Sequence, residues 1–294
     1  METLPVPVSK TPTEYERKVL REIHRWKNPK VGWLGKTVDK VNRRLHGVTD
    51  LVRKVPGVDW TIDNVVSGLL RLTNEIMQDS VWRDAIFQEY QKAGHDVRSP
   101  DDIHRLDLKV VDQALRGLDT KYRSVTAAQG AAAGFAGAAG VLPDVLGLVA
   151  LNLRAAGEYA TYCGYDMSRP TERLYALQIL HVVSQPPDNG EEDPERETAL
   201  VPVRSVSHAI AQQQTVQTIE QVAVSGSIRG IAKALGSRLT KVKLAQLLPM
   251  AGAFVGGGFN AYYTTRVCEA AFHLYRERRL MEKYGPEVIL KEYW

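Results

Sequence analysis

Apolar residues recur three and four positions apart along most of the chain, and alternation with a period of two is scarce. The pattern predicts helices and no sheet. A first helix starts at Thr11-Pro12-Thr13-Glu14, with Thr11 as N-cap, proline at the first position and glutamate at the third. Tyr15, Val19, Ile23 and Trp26 then share one face, and the helix stops near Asn28-Pro29. Further helices are expected over about 31–45, 58–77 and 80–93. Ser99-Pro100-Asp101-Asp102 repeats the start signal, and Ile103, Leu106, Val110, Val111, Ala114 and Leu118 carry one helix to Leu118. The next runs from about Leu142 to Tyr162 and closes on Gly164. Helices follow at about 171–184, 198–224 and 227–243. A long one from about Met250 to Tyr284 ends at Gly285-Pro286. The expected fold is all-α: a single compact multi-helix domain over 12–294, behind a flexible N-terminus at 1–11. The acidic, proline-bearing stretch at 185–197 reads as a mobile loop.

One stretch, "GAAAGFAGAAGVLPD" at Gly130–Asp144, departs from ordinary helix composition. A phosphate-binding loop would need a preceding strand and a following Lys-Ser/Thr, and neither is present. Small residues four apart instead let two helix backbones approach closely. Each glycine inside a helix costs about 1 kcal/mol, so such a run needs a compensating contact. "MAGAFVGGGFNAYY" at Met250–Tyr263 is the natural mate. Gly130, Gly134 and Gly137 are therefore expected to meet Gly256 and Gly257 where the two glycine-rich helices cross at the centre of the fold. Leu142-Pro143 and Leu248-Pro249 border these two runs, and a cysteine-bearing helix follows each, a weak sign of an internal repeat.

Charge changes the picture more than overall composition does. The net charge of +4 is mild, but Met1–Pro56 holds 13 Lys and Arg against 6 Asp and Glu. Ser227–Lys243 carries Arg229, Lys233, Arg238, Lys241 and Lys243 with no acid, opposite Ile228, Ile231, Leu235 and Leu239. That is a basic amphipathic helix of the kind that lies on anionic membrane surfaces. No nucleic-acid motif accompanies the charge. Two cysteines, Cys163 and Cys268, form neither a disulfide framework nor a metal cluster, and reduced cytosolic thiols are the expectation. The N-terminus lacks the apolar core of a signal peptide, and Val125–Pro143 and Leu244–Thr265 lack the Leu/Ile density of a membrane span. Trp26, Trp33, Trp60 and Trp82 fit a core or, beside the basic residues, a membrane interface.

Asp144 is the sharpest polar position. As an acid in a first helical turn it has a structural explanation. As a buried carboxylate it would line a pocket with Asn152, Arg154 and Glu158 on one side and Asn260 of the second glycine-rich helix on the other. Arg154 and Glu158 also suit a plain i,i+4 ion pair. Glu269 and His273 share that spacing, but no third metal ligand joins them, so no metal and no cofactor is expected. Cys163 and Cys268 read as buried packing residues, and Ser225-Gly226-Ser227 lacks a nucleophile elbow.

"AAGVLPDVLGLVALNLRAAGEYATYCGYD", "LLPMAGAFVGGGFNAYYTTRVCEAAFHLYRERRL" and the opening "TPTEYERKVLREIHRWKNP" resemble the EcsC protein family, over about Pro12 to Leu280. The resemblance implies a helical fold without an established activity and a setting beside an ABC transporter. With the charge pattern, it points to a cytoplasmic protein at the inner face of the membrane, bound to anionic lipid or to a membrane partner such as a transporter, with a lipid as a candidate ligand. A hydrolase acting on a lipid or small ester around Asp144, and a membrane-perturbing toxin, are the alternatives.

Overall fold

The computed structural model describes residues 11–28, 83–136, 138–184 and 252–292. Among them are nine helices and no strand: α1 Glu14–Lys27, α2 Arg83–Lys92, α3 Pro100–His104, α4 Leu108–Ala114, α5 Leu118–Phe135, α6 Ala138–Tyr162, α7 Pro170–Ser184, α8 Gly252–Tyr284 and α9 Pro286–Glu292. The expected helices at 31–45, 58–77, 198–224 and 227–243 and the loop at 185–197 lie outside the described residues.

The axis of the fold is α8. Its 33 residues span about 50 Å at 1.5 Å per residue. Side-chain pairs fix the directions of its neighbours. Asp144 meets Asn260, Asn152 meets Thr264, Tyr159 meets Phe272 and Arg279 meets the Cys163 carbonyl, so α6 runs parallel to α8. Glu172 with Arg278 and Tyr175 with Leu274 set α7 antiparallel. Glu16 with Lys283, Glu22 with Arg276 and Trp26 with His273 do the same for α1. The most extensive pairing is α5 against α8. Val19, Leu20 and Ile23 of α1, Leu148 and Leu153 of α6, Ile179 and Leu180 of α7, and Val267 and Leu274 of α8 fill one continuous core.

Local chemistry sets the helix ends. Thr13, two residues beyond the expected Thr11, caps α1. Its hydroxyl accepts from the Glu16 backbone N–H at 3.2 Å, and the Glu16 carboxylate accepts from the Thr13 N–H at 2.8 Å. Lys283 and Tyr284 grip the same carboxylate at 2.8 Å each, which selects this register. Ser99 caps α3 by the same reciprocal box with Asp102, and Pro100 takes the first turn. Gly164 and Gly285 follow α6 and α8 with φ of +91° and +88°, the left-handed conformation a C′ residue needs.

Two expectations fail for physical reasons. The single helix from Ile103 to Leu118 is broken after His104 and again before Leu118. Arg279 causes the first break by donating to the carbonyls of Ile103, His104 and Leu106 at 2.8, 3.1 and 2.5 Å, satisfying oxygens that a continued helix would bond itself. Gly117, at φ +83°, turns the chain into α5. The helix expected from Leu142 starts at Ala138, one turn before the exposed Pro143, whose missing N–H leaves one carbonyl of the first turn without its intrahelical bond.

The small-residue run thus spans the end of α5 and the start of α6. Gly257 of α8 lies against α5: a Cβ there would sit 3.0 Å from the Ala127 carbonyl oxygen and 3.4 Å from the Ala131 Cβ. Gly130 is buried and Gly134 half-buried, but Phe135 is 84 % exposed, so the end of α5 reaches the surface. Gly256 lies within α8, and Gly137 is outside the described residues. Neighbouring glycines test the crossing. Gly257→Ala should cost about 1–2 kcal/mol by forcing the backbones apart. Gly258→Ala, whose Cβ would meet nothing within 4 Å, should gain about 0.5–1 kcal/mol from helix propensity. Urea denaturation of the two variants would show these opposite signs.

Candidate functional site

Three polar contacts line the seam where α6 meets α5 and α8. Asp144 is 2 % exposed. Its Oδ1 accepts from Asn260 Nδ2 at 2.9 Å and from Gln129 Nε2 at 3.3 Å, and Gln129 also donates to the Asp144 carbonyl at 3.2 Å. The Asp144–Asn260 partnership is the one the sequence suggests. Because α6 begins at Ala138, Asp144 is its seventh residue rather than a first-turn acid, and its interhelical contacts explain it better than the macrodipole does.

Two turns along, Asn152 is fully buried and donates to the Leu148 carbonyl at 2.7 Å and to Thr264 Oγ1 at 3.1 Å. Farther on, Glu158 takes Lys121 Nζ at 2.8 and 3.2 Å and lies 3.6 Å from Arg154 Nε. The i,i+4 pair of Arg154 and Glu158 therefore forms, with Lys121 as the tighter partner. Tyr122 is buried beside this pair; burial, and then the Glu158 charge, push its hydroxyl well above the ordinary tyrosine range. At 1.5 Å per residue Glu158 stands about 21 Å along α6 from Asp144. The five pocket candidates are thus three separate interhelical contacts rather than one convergent constellation.

The denser polar cluster lies at the other end of α8, and the sequence reading missed it. From Leu274 to Leu280, seven consecutive residues, Arg276, Glu277, Arg278 and Arg279 among them, are each at most 5 % exposed. Buried charges on every side of a helix need partners from every side. Arg276 Nη2 donates to Asp112 Oδ2 at 2.8 Å and to Glu22 Oε2 at 3.5 Å, and the Tyr15 hydroxyl donates to the same Asp112 oxygen at 2.6 Å. Lys27 pairs with Glu277. Arg278 makes a two-pronged contact with Glu172 at 2.6 and 2.8 Å, and Arg279 Nη1 donates to the Cys163 carbonyl at 3.2 Å. The available signal was the run "YRERRLMEKY" at the end of a long helix: four charges in a row cannot share one solvated face.

Both cysteines are buried, and burial pushes each thiol up to about 12, which removes the thiolate a nucleophile requires. Glu269 pairs with Arg266 at 3.4 Å, while His273 is stacked on Trp26 at 5.0 Å. Burial first, then the Arg276 and Lys27 charges, lower His273 to about 3. Among the described residues no three His, Cys, Asp or Glu side chains gather as a metal site. Arg229, Lys233, Arg238, Lys241 and Lys243 lie outside the described residues.

Comparison with known proteins returns the same grouping as the sequence motifs. No solved structure matches the chain. The uncharacterized protein YdbA of Bacillus subtilis (strain 168) is 26 % identical over 188 residues, which are 63 % of this chain and 64 % of that protein. The chain therefore spans less than two thirds of that relative's length. The model of the EcsC protein family matches residues 17–280, from within α1 to Leu280 at the end of the buried charged run. The chain belongs to the EcsC protein family.

Proposed function

We propose that the protein is a non-catalytic helical module that lies on an anionic membrane surface, at the inner face, and there engages lipid or a membrane partner such as a transporter. The observation that carries this reading is the outward face of α5. Val125 is 48 % exposed and Phe135 84 %, and Ala128, Ala132 and Ala136 between and beside them are exposed too. No charged residue occurs from Val125 to Pro143, while the exposed Lys121 and Arg123 stand at the other end of α5. An apolar helix face with cations at its margin is the pattern that settles at the headgroup–acyl boundary. The outer side of α1 adds exposed Lys18, Arg21 and Arg25. No helix among the described residues is long and apolar enough to cross a membrane.

Co-sedimentation with neutral and anionic vesicles, at low and high salt, tests the reading. The protein should bind anionic vesicles at low salt and release at high salt. Val125→Glu with Phe135→Glu should weaken binding at least about tenfold, since apolar burial supplies part of the affinity. Arg21→Glu with Arg25→Glu should remove mainly the salt-sensitive part. A wild-type protein that stays in the supernatant with anionic vesicles at low salt defeats the proposal. The hydrolase alternative has less support, because the Asp144 carboxylate is engaged by two amides and Glu158 is remote from it. Growth arrest on expression, relieved by the same α5 variant, would instead favour the toxin.

A further inference from the structure

We propose that the exposed corner at the start of α7 is an anion site for a phosphomonoester group, with Arg169 and Arg173 as its cations. Arg173 is 7 % exposed. A buried guanidinium needs compensation: Arg276 and Arg278 have carboxylates, and Arg279 has four carbonyls. Arg173 has no carboxylate among the described residues. Its Nη2 donates to the Ser168 carbonyl at 3.1 Å, while Nε and Nη1 are buried with no hydrogen-bond partner. That carbonyl lies two residues before α7, so the guanidinium is folded back from the first turn toward the helix start. There Pro170 has no N–H, and the Thr171 N–H finds no backbone acceptor among the described residues. The positive end of a 15-residue helix and an uncompensated buried cation thus meet at one place.

The corner is open as it stands. Ser168, Arg169 and Pro170 are exposed and Thr171 is half-buried, so an anion arrives from solvent with no helix displaced. Arg169, one turn before Arg173, supplies an exposed guanidinium. The neighbouring acids are already engaged. Asp166 accepts from the Ser168 N–H at 3.0 Å and lies 3.9 Å from Arg83, and both oxygens of Glu172 are taken by Arg278. Arg83, Arg169 and Arg173 therefore stand against Asp166, and that surplus of cations suits a dianion better than a monoanion. A phosphomonoester carries close to two charges at neutral pH, and a carboxylate carries one. Arg169 and the Thr171 N–H meet the anion from the solvent side. Arg173 acts from beneath through its charge, which salt screens less than it screens an exposed one.

Thermal denaturation of the full chain in inorganic phosphate, against acetate and chloride at equal ionic strength, tests the site. A ligand that binds the folded state raises the melting temperature, so phosphate should raise it and acetate should not. Sedimentation with vesicles of phosphatidic acid, against phosphatidylglycerol vesicles of equal charge, separates the two sources of the group. A preference for phosphatidic acid assigns the site to a lipid headgroup. A phosphate response without that preference assigns it to a soluble phosphorylated ligand, and does so even if neither vesicle binds and the membrane reading fails. Arg169→Gln and Arg173→Met should each weaken binding about tenfold, the scale of one nearby charge. Arg173→Met should also melt no lower than wild type in phosphate-free buffer, because it removes an uncompensated buried cation and keeps the side chain's bulk. If that variant does not fold, the exposed Arg169→Gln decides. No response to phosphate together with equal sedimentation on the two vesicles overturns the proposal. So does an equal response to acetate, or undiminished binding by folded Arg169→Gln or Arg173→Met.

Discussion

Glu172→Ala should destabilise the protein by about 3–5 kcal/mol, a loss typical of a buried charge deprived of its partner. Glu172 and Arg278 join α7 to α8 through parallel hydrogen bonds of 2.6 and 2.8 Å, and both side chains are 3 % exposed. Tyr165 and Tyr175 close over the guanidinium, with ring centroids 4.0 and 4.9 Å from Cζ. Arginine keeps its proton in any such setting, so losing the carboxylate leaves a full charge in an aromatic box. Glu282, at 2.9 Å and 31 % exposed, compensates only in part. Replacing both residues by apolar ones of similar length, Glu172→Leu with Arg278→Met, should recover most of the loss, because the desolvation cost of both ions disappears with them. Urea denaturation followed by far-UV circular dichroism measures both effects. A loss under about 1 kcal/mol for Glu172→Ala, the range of an exposed pair, would mean that the α7–α8 joint is hydrated.

The pattern of the chain made some of this architecture legible and hid the rest. The stops of α1, α6 and α8 follow from apolar spacing and from Asn28, Gly164 and Gly285, all local signals. Asp144 with Asn260 was also legible, since each is the first polar residue after a run of small and apolar ones. The break after His104 was not, because its cause, Arg279, is 175 residues away. The same limit explains the missed cluster on α8. A run of charges ordinarily marks a solvated face, and Arg276 is recognisable as buried only once Asp112, 164 residues away, and Glu22, 254 residues away, are placed beside it. Sequence shows residue types that need partners, and the fold shows which partners they find.

Those buried partnerships make the fold sensitive to mild acid, the second large effect expected. Burial, with the Arg276 and Lys27 charges, lowers His273 to about 3, and burial, with Arg279 and Arg278, lowers His104 to about 4. In the unfolded chain both titrate near the ordinary value of about 6.5. Below that pH the unfolded state takes up protons that the folded state refuses, so stability falls as pH falls. Each histidine contributes a slope of about 1.4 kcal/mol per pH unit, and the two together about 2.7, between pH 6.5 and 4. The His104 contribution is spent near pH 4, and that of His273 continues toward pH 3. His181, also lowered by burial, adds in the same direction. Glu16 extends the loss at lower pH. Burial raises it, but hydrogen bonds from Lys283, Thr13 and Tyr284 prevail and hold it at about 2, so its contribution fades below the ordinary carboxylate range. Asp112 opposes the trend in part, because burial raises it and the folded state binds its proton first. Stability measured by urea denaturation from pH 8 to 4 should be flat above pH 7 and drop steeply below 6.5. His273→Phe keeps the ring between Trp26 and Phe272 and should roughly halve that slope. Stability unchanged from pH 7 to 5 would mean that both histidines titrate freely in the folded protein, and that the α1–α8 seam and the Gly164 turn are open to water.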